Sequence, residues 1–435
     1  MSITKQFAKY VSQNILGTLG VSCYIIVDTF FIARAAGANG ITVLNMALPV
    51  YNLIFAIGAM IGIGSATRFA ILRAQQDKDA DRYFSNGLAW IFLISIIFVL
   101  AGIFAPDKVL QLMGADREIT QLGISYFRIF LLFTPFFMAN YVFTAFVRND
   151  SDPTLAMVAT VASSLFNVVF DYIFMFPMKM GLAGAALATA VSPIVSMLIC
   201  SLHFRKKINT IPFKVQIPSL SLLVKAGQLG MPAFISEFSS GLTIMVFNFL
   251  ILGIAGNIGI AAYGVVTNFA QVALAVFNGI AQGSQPLISK YYGMGREKDT
   301  KKLLWLGAGT AFTVAILVYL TVFRFTEPLV ALFNSEQSAE MAAYAFRGMR
   351  LYFIGFIFAG VNIVGAGYLS ATEHAVGSFV TAILRGVVLI VFFAVVLALL
   401  FGFDGVWLSF GAAEAVTAVV TVITLWLAHK KAEER

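Results

Sequence analysis

Asp28, in YIIVDTFFIA, and Asp171, in SSLFNVVFDYIFMF, are acids inside runs otherwise suited to lipid. Asn167 stands four positions before Asp171, on the same face of a helix. Thr189, in GLAGAALATA, adds a hydroxyl in the next apolar run. Burying an ionised carboxylate costs several kcal/mol or more unless it is paired or hydrated. Two carboxylates close together in low dielectric do not readily both ionise without a cation between them. They either share a proton or bind a hard cation such as Na⁺, with Asp28, Asn167, Asp171 and Thr189 supplying the oxygens. The plainer reading is that each acid hydrogen-bonds a neighbouring helix.

Other polar side chains in apolar surroundings each carry two readings. Glu237, in MPAFISEFSSGLTIM, is either a polar tie between helices or a carboxylate that attracts a cationic substrate or carries a proton. Asn268, Gln271, Asn278 and Gln282 recur at spacings of three, seven and four along one helical face. They either line a water-filled cavity or pack against a neighbouring helix. Arg385 either snorkels to the nearer membrane surface or pairs with an acid. Cys23 and Cys200 have no disulfide or metal-site spacing, and His203, His374 and His429 are scattered. GxxxxGK[ST], HExxH and GxSxG are absent from the sequence. The expectation is therefore a non-enzyme without a cofactor, driven by an ion gradient of H⁺ or Na⁺ rather than by ATP.

The scaffold that positions these groups must sit in a bilayer. The 435 residues are 60% hydrophobic and 11% charged, with mean hydropathy +0.89, whereas soluble domains are roughly 25% charged. With about 20 apolar residues needed per crossing, helical spans are predicted near 11–35, 44–67, 86–105, 122–147, 154–177, 182–204, 226–253, 260–288, 303–324, 343–370, 375–400 and 405–428. The fold class is thus all-α and polytopic, with about twelve transmembrane helices. The first apolar stretch leads into a full span rather than a signal peptide.

An even number of crossings puts both termini on one side. Most of the 29 Lys and Arg fall at the termini and in alternate connections, among them Arg68, Arg73, Lys78 and Arg82, Arg205 to Lys207, and Lys298 to Lys302, with Lys431 and Arg435 at the end. By the positive-inside rule both termini are cytoplasmic. The net charge of +8 then reads as a topology signal, and no nucleic-acid partner is expected. On this topology Asp28, Asn167, Asp171 and Thr189 all fall at similar depth in the outer half, at about 1.5 Å per residue. They could form one site.

The chain also repeats itself. AAGANGI at 35–41 returns as IAGNIGI at 254–260, and GLAGAALATA at 181–190 as GFDGVWLSFG at 402–411. ISYFRIFLLF at 124–133 returns as YAFRGMRLYF at 344–353. Two parallel six-helix lobes related by a pseudo-twofold along the membrane normal are expected, with a binding region between them and rocking alternating access. Residues 1–208 would form the first lobe, 209–220 a cytoplasmic linker, and 221–435 the second lobe.

IIVDTFFIARAAG with LNMALPV, FVRNDSDPTLAM, and IAQGSQPLISKYYGMGREKDTKK together resemble the multidrug and toxic compound extrusion (MATE) family over essentially the whole chain, and most of all its branch of bacterial multidrug exporters. The resemblance implies an antiporter that expels amphipathic, often cationic drugs in exchange for H⁺ or Na⁺; a monomer in the plasma membrane is expected. It implies that Asp28 acts in cation coupling and that Asn167, Asp171 and Thr189 match the family's polar cluster. One departure concerns the tenth span, where FAGVNIVGAGYLS offers Asn362 and no acid. That leaves Glu237 as the acid expected to serve the second lobe. The alternatives are a flippase for lipids or lipid-linked precursors, which would call for a strongly cationic cavity, and a membrane-embedded transferase.

Overall fold

The structure is a computed structural model and describes residues 2–214, 216–332 and 338–433; Arg435, counted above toward the cytoplasmic side, lies outside them. Every regular element among the described residues is helical. Ten helices are long and apolar enough to cross a bilayer, and the bent pair Arg117–Leu132 and Thr134–Asn149 makes an eleventh. The twelfth comes from the run Leu220–Gly293, whose 74 residues include a break at Gly256 (φ 60°, ψ −156°). Unbroken, it would extend about 110 Å, far more than the roughly 30 Å of a hydrocarbon core. Ile3–Ala74 breaks in the same way at Gly37 (φ 60°, ψ −152°). These angles are essentially reserved for glycine, which therefore sets where one span stops and the next starts.

In chain order, spans 1 and 2 are Ile3–Gly37 and Asn39–Ala74, span 3 is Lys78–Phe104, span 4 is the bent pair, span 5 is Pro153–Met175 and span 6 is Gly181–Arg205. Spans 7 and 8 lie either side of Gly256. Spans 9 to 12 are Glu297–Arg324, Ala339–Ala371, Ala375–Phe401 and Phe403–Lys430.

The repeat is written in the backbone as well as in the letters. Positive φ occurs at Gly37 and Gly256, Gln76 and Gly295, Ser151 and Glu373, and Gly181 and Gly402, each pair 219 to 222 residues apart. At two of these pairs, Gln76 with Gly295 and Ser151 with Glu373, the halves share a turn although the residues differ.

The chain forms two compact units: Ser12–Phe238 with Ser289–Gly295, and Met1–Val11 with Ser239–Ile288 and Arg296–Arg435. In the first, Tyr51 stacks on Phe130 at 3.7 Å and its hydroxyl meets that of Tyr126 at 3.0 Å. In the second, Tyr352 stacks on Phe410 at 4.4 Å. Lipid-compatible helices gain little from apolar burial against each other, so close approach relies on small residues. Gly62 shows this: a Cβ there would stand 2.7 Å from the Tyr141 backbone carbon.

Candidate functional site

Span 5 carries the centre of the polar cluster in the first unit. Pro153 occupies the start of the helix, and the Asp152 side chain caps it by accepting from Leu155 N at 3.3 Å. From there Asn167 and Asp171 fall on one face, and both are fully buried. Span 6 starts with Gly181 at φ 55°. Three residues on, Gly184 packs so tightly that a Cβ would lie 2.9 Å from the Phe174 backbone. This approach brings Thr189 opposite Asn167. Span 1 reaches span 5 over Gly17 and Gly20, where a Cβ would make ordinary contacts with Thr160 and Ser164. Phe31 packs edge-on against Phe176 at 5.9 Å, and Asp28 lies between these two contact zones along span 1.

The result is a buried set. The Asn167 amide bridges its neighbours: with its nitrogen toward the acid it donates to Asp171 Oδ2 at 3.1 Å, while its oxygen accepts from Thr189 N at 3.3 Å and Oγ1 at 3.1 Å. The Asp28 and Asp171 carboxyls lie within hydrogen-bonding reach of each other. Asp28 Oδ1 and Asp171 Oδ1 are buried and receive no hydrogen bond from another residue type among the described residues. Tyr24 and Tyr126 are within electrostatic reach of both acids. Among the described residues, no basic side chain is within electrostatic reach of either acid. The residues expected at one depth are therefore together, and their geometry suits a species that brings positive charge to bare oxygens, whether a proton or a hard cation.

The other candidates lie elsewhere. Glu237 is half-buried, with Tyr24 and Tyr141 within electrostatic reach. It belongs to the first unit. Asn268 and Gln271 are exposed on span 8, while Asn278 and Gln282 are half-buried. All four belong to the second unit.

Arg385 does not snorkel. Its guanidinium meets Glu414 of span 12, with Nη2 donating to Oε1 at 2.7 Å and Nε to the same oxygen at 3.1 Å. Asn362 Nδ2 donates to Glu414 Oε2 at 2.8 Å, and Thr421 Oγ1 donates to Asn362 Oδ1 at 3.0 Å. Glu414 corrects the view that Glu237 is the acid left to serve the second lobe. Sequence reasoning passed over it although the signal was present, one acid in the apolar stretch VWLSFGAAEAVTAVV. Spans 10 and 12 meet closely here, since a Cβ at Gly365 would lie 2.5 Å from Thr421 Cγ2.

A second polar centre gives one of the scattered histidines a role. His203 is buried between two carboxylates, its Nε2 2.8 Å from Asp150 Oδ2 and its Nδ1 3.2 Å from Asp152 Oδ2. Because Thr210 N and Lys206 Nζ also donate to these carboxylates, both oxygens act as acceptors. Both ring nitrogens must then donate, which requires an imidazolium. The segment after span 6 is held down further along by Lys214 Nζ on Asp81 Oδ2 at 2.7 Å and by Ser219 N on Asn86 Oδ1 at 2.7 Å. Burial works to raise the Asp152 carboxyl, but hydrogen bonds from Lys206, His203 and Leu155 N outweigh it and hold it below the ordinary range.

Among the described residues, twelve long apolar helices in two repeated halves, with charged groups buried among them, define a multi-pass membrane protein of the helical transporter kind. The chain belongs to the MatE family, whose profile matches residues 14–173 and 232–396. It is 27% identical over 435 residues to the multidrug export protein MepA of Staphylococcus aureus, covering 98% of this chain and 94% of that one. MepA of Staphylococcus saprophyticus is 26% identical over 429 residues, with the same coverage. Among solved structures, an outward-facing multidrug resistance MATE family transporter of the MOP superfamily superposes with TM-score 0.93 at 21% identity, covering 100% of this chain and 98% of that one. A MOP superfamily transporter from Pyrococcus furiosus, described as having a binding pocket of reverse polarity, gives 0.90 at 21% identity, covering 99% and 96%.

Proposed function

We propose that this chain is a secondary active multidrug exporter of the plasma membrane that exchanges amphipathic, often cationic compounds for H⁺ or Na⁺ by alternating access. The observation that carries the reading is the Asp28–Asp171 pair, with two buried oxygens lacking donors among the described residues and no base beside them. A group of this kind binds or releases a cation when its access to water changes. Cation and drug must then favour different conformations, because a ligand with equal affinity for both states shifts nothing. Asn167 and Thr189 orient Asp171 and add neutral oxygens, which Na⁺ needs and a proton does not. The reading includes lobes at 1–208 and 221–435 joined by 209–220, both termini cytoplasmic, a monomer as the working unit, no cofactor, and Glu237 with the amide face of span 8 as substrate contacts. The flippase reading is weakened at Arg385, a base within a span whose charge is neutralised by Glu414.

The test is efflux of a fluorescent cationic dye from proteoliposomes under separately imposed proton and sodium gradients, with Asp28→Asn alongside. Transport that follows one gradient and is lost in the variant supports coupled export and names the ion. Wild-type transport by a well-folded Asp28→Asn protein would remove the proposed role.

A further inference from the structure

The two units carry similar oxygen sets. In the first, carboxylates stand with an amide and a hydroxyl: Asp28 and Asp171, Asn167, Thr189. In the second, Glu414 stands with Asn362 and Thr421. The difference is what supplies positive charge. Glu414 Oε1 receives Arg385 Nη2 and Nε, and Oε2 receives Asn362 Nδ2 at 2.8 Å and Arg385 Nε at 3.4 Å. No Glu414 carboxylate oxygen is left without a donor. Arg385 sits in a π turn, Leu384–Val388, within span 11, a local widening of the helix that often marks functional positions. The pair is largely closed to solvent, with side-chain exposures of 14% for Arg385 and 2% for Glu414. Tyr352 is a titratable group within electrostatic reach of the pair.

We infer that the Arg385 guanidinium is a tethered counter-ion, holding at Glu414 the place that an exchangeable cation takes at the Asp28–Asp171 pair, and thereby confining cation exchange to the first unit. The inference rests on the coupling role proposed for Asp28 and Asp171. Arg385 is on this view a residue that determines how many cations the protein handles. A guanidinium cannot lose its proton at any working pH, and its side chain cannot diffuse away. The second cluster therefore stays neutral and closed in every step, while the first cycles. Removing the tether should turn Glu414, Asn362 and Thr421 into a second site, because a buried carboxylate without its partner must take up a proton or a cation.

The experiment counts bound cations on purified, full-length protein, by equilibrium dialysis with radiolabelled Na⁺ and by proton uptake after a pH step. Arg385→Gln should bind about one more cation per chain than wild type. The Arg385→Gln, Glu414→Gln double variant should return to the wild-type number and keep gradient-driven dye efflux within about twofold of wild type. A folded, monodisperse Arg385→Gln protein that binds no additional cation would overturn the inference, as would a double variant that loses the wild-type cation. If the single variant does not fold, the double variant decides, since it leaves no unpaired charge. Failure of the underlying coupling role looks different: an Asp28→Asn, Asp171→Asn protein would then bind as many cations as wild type.

Discussion

The polar clusters of the two units solve the same physical problem in opposite ways. Each places carboxylate, amide and hydroxyl groups on helices drawn together over a glycine, at Gly184 in one and Gly365 in the other. In the second unit the acid is answered within the protein, by a buried arginine in hydrogen-bonded contact with it. In the first unit two acids face each other, with no base beside them among the described residues. A closed pair contributes to structure, whereas a set that lacks positive charge must obtain it from outside, and obtaining it is a binding event. On the proposed function, the contrast separates a part that holds from a part that exchanges cations, although the two share a backbone plan.

Substitutions can break this contrast. The largest effect should come from Asp171→Asn, which leaves stability close to wild type but lowers gradient-driven dye efflux at least about 100-fold, the upper range of a coupling free energy between sites. Glu414→Ala should do the reverse and destabilise the protein by about 3–5 kcal/mol, because it leaves Arg385 buried and unpaired; thermal unfolding in detergent measures this. Gly184→Val forces a side chain against the Phe174 backbone and should cost about 1–3 kcal/mol. It should also weaken cation binding by moving Thr189 from Asn167, whereas Gly20→Ala, at ordinary contact distance, should do neither. Thr189→Val removes a hydrogen bond worth about 1 kcal/mol and should lower cation affinity about fivefold.

The smallest effect lies outside both clusters. Asp152 is held below the ordinary carboxyl value of about 3.9, so its contribution is complete above that pH and is lost as pH falls through the depressed value. Exchange protection of the Leu155 amide should accordingly be level from about pH 4 to about pH 6, where His203 stays protonated, and fall in stronger acid. Protection that declines instead between neutral and mildly acidic pH would show that the cap depends on another group.

Much of this organisation is legible in the residues themselves. Long apolar runs give the spans, and Asp28, Asn167, Asp171 and Thr189 stand out because polar groups are rare there and depth can be counted from helix ends. Pairings between helices are not legible in the same way. Arg385 and Glu414 lie 29 positions apart, at a spacing with no local meaning, and only the fold shows that they meet. The clasp at His203 escaped for a similar reason, since Asp150 and Asp152 come from the turn before span 5. Gln76, Ser151 and Glu373 adopt positive φ without the glycine that would announce it. Left-handed backbone at such residues costs roughly 1–2 kcal/mol each, which tertiary packing must offset.

Those matched turns also have a meaning for how such a protein diverges. A duplicated gene begins with two identical halves, and drift then rewrites side chains at a rate set by what each position tolerates. Here the bends survive where the letters do not: Gln76 stands against Gly295, and Ser151 against Glu373. Ancestry is thus recorded more durably in the path of the chain than in its chemistry. The repeat spacing of 219 to 222 residues pairs none of Asp28, Asp171, Arg385 and Glu414 with another, so each half carries its charged groups at its own points along a shared path.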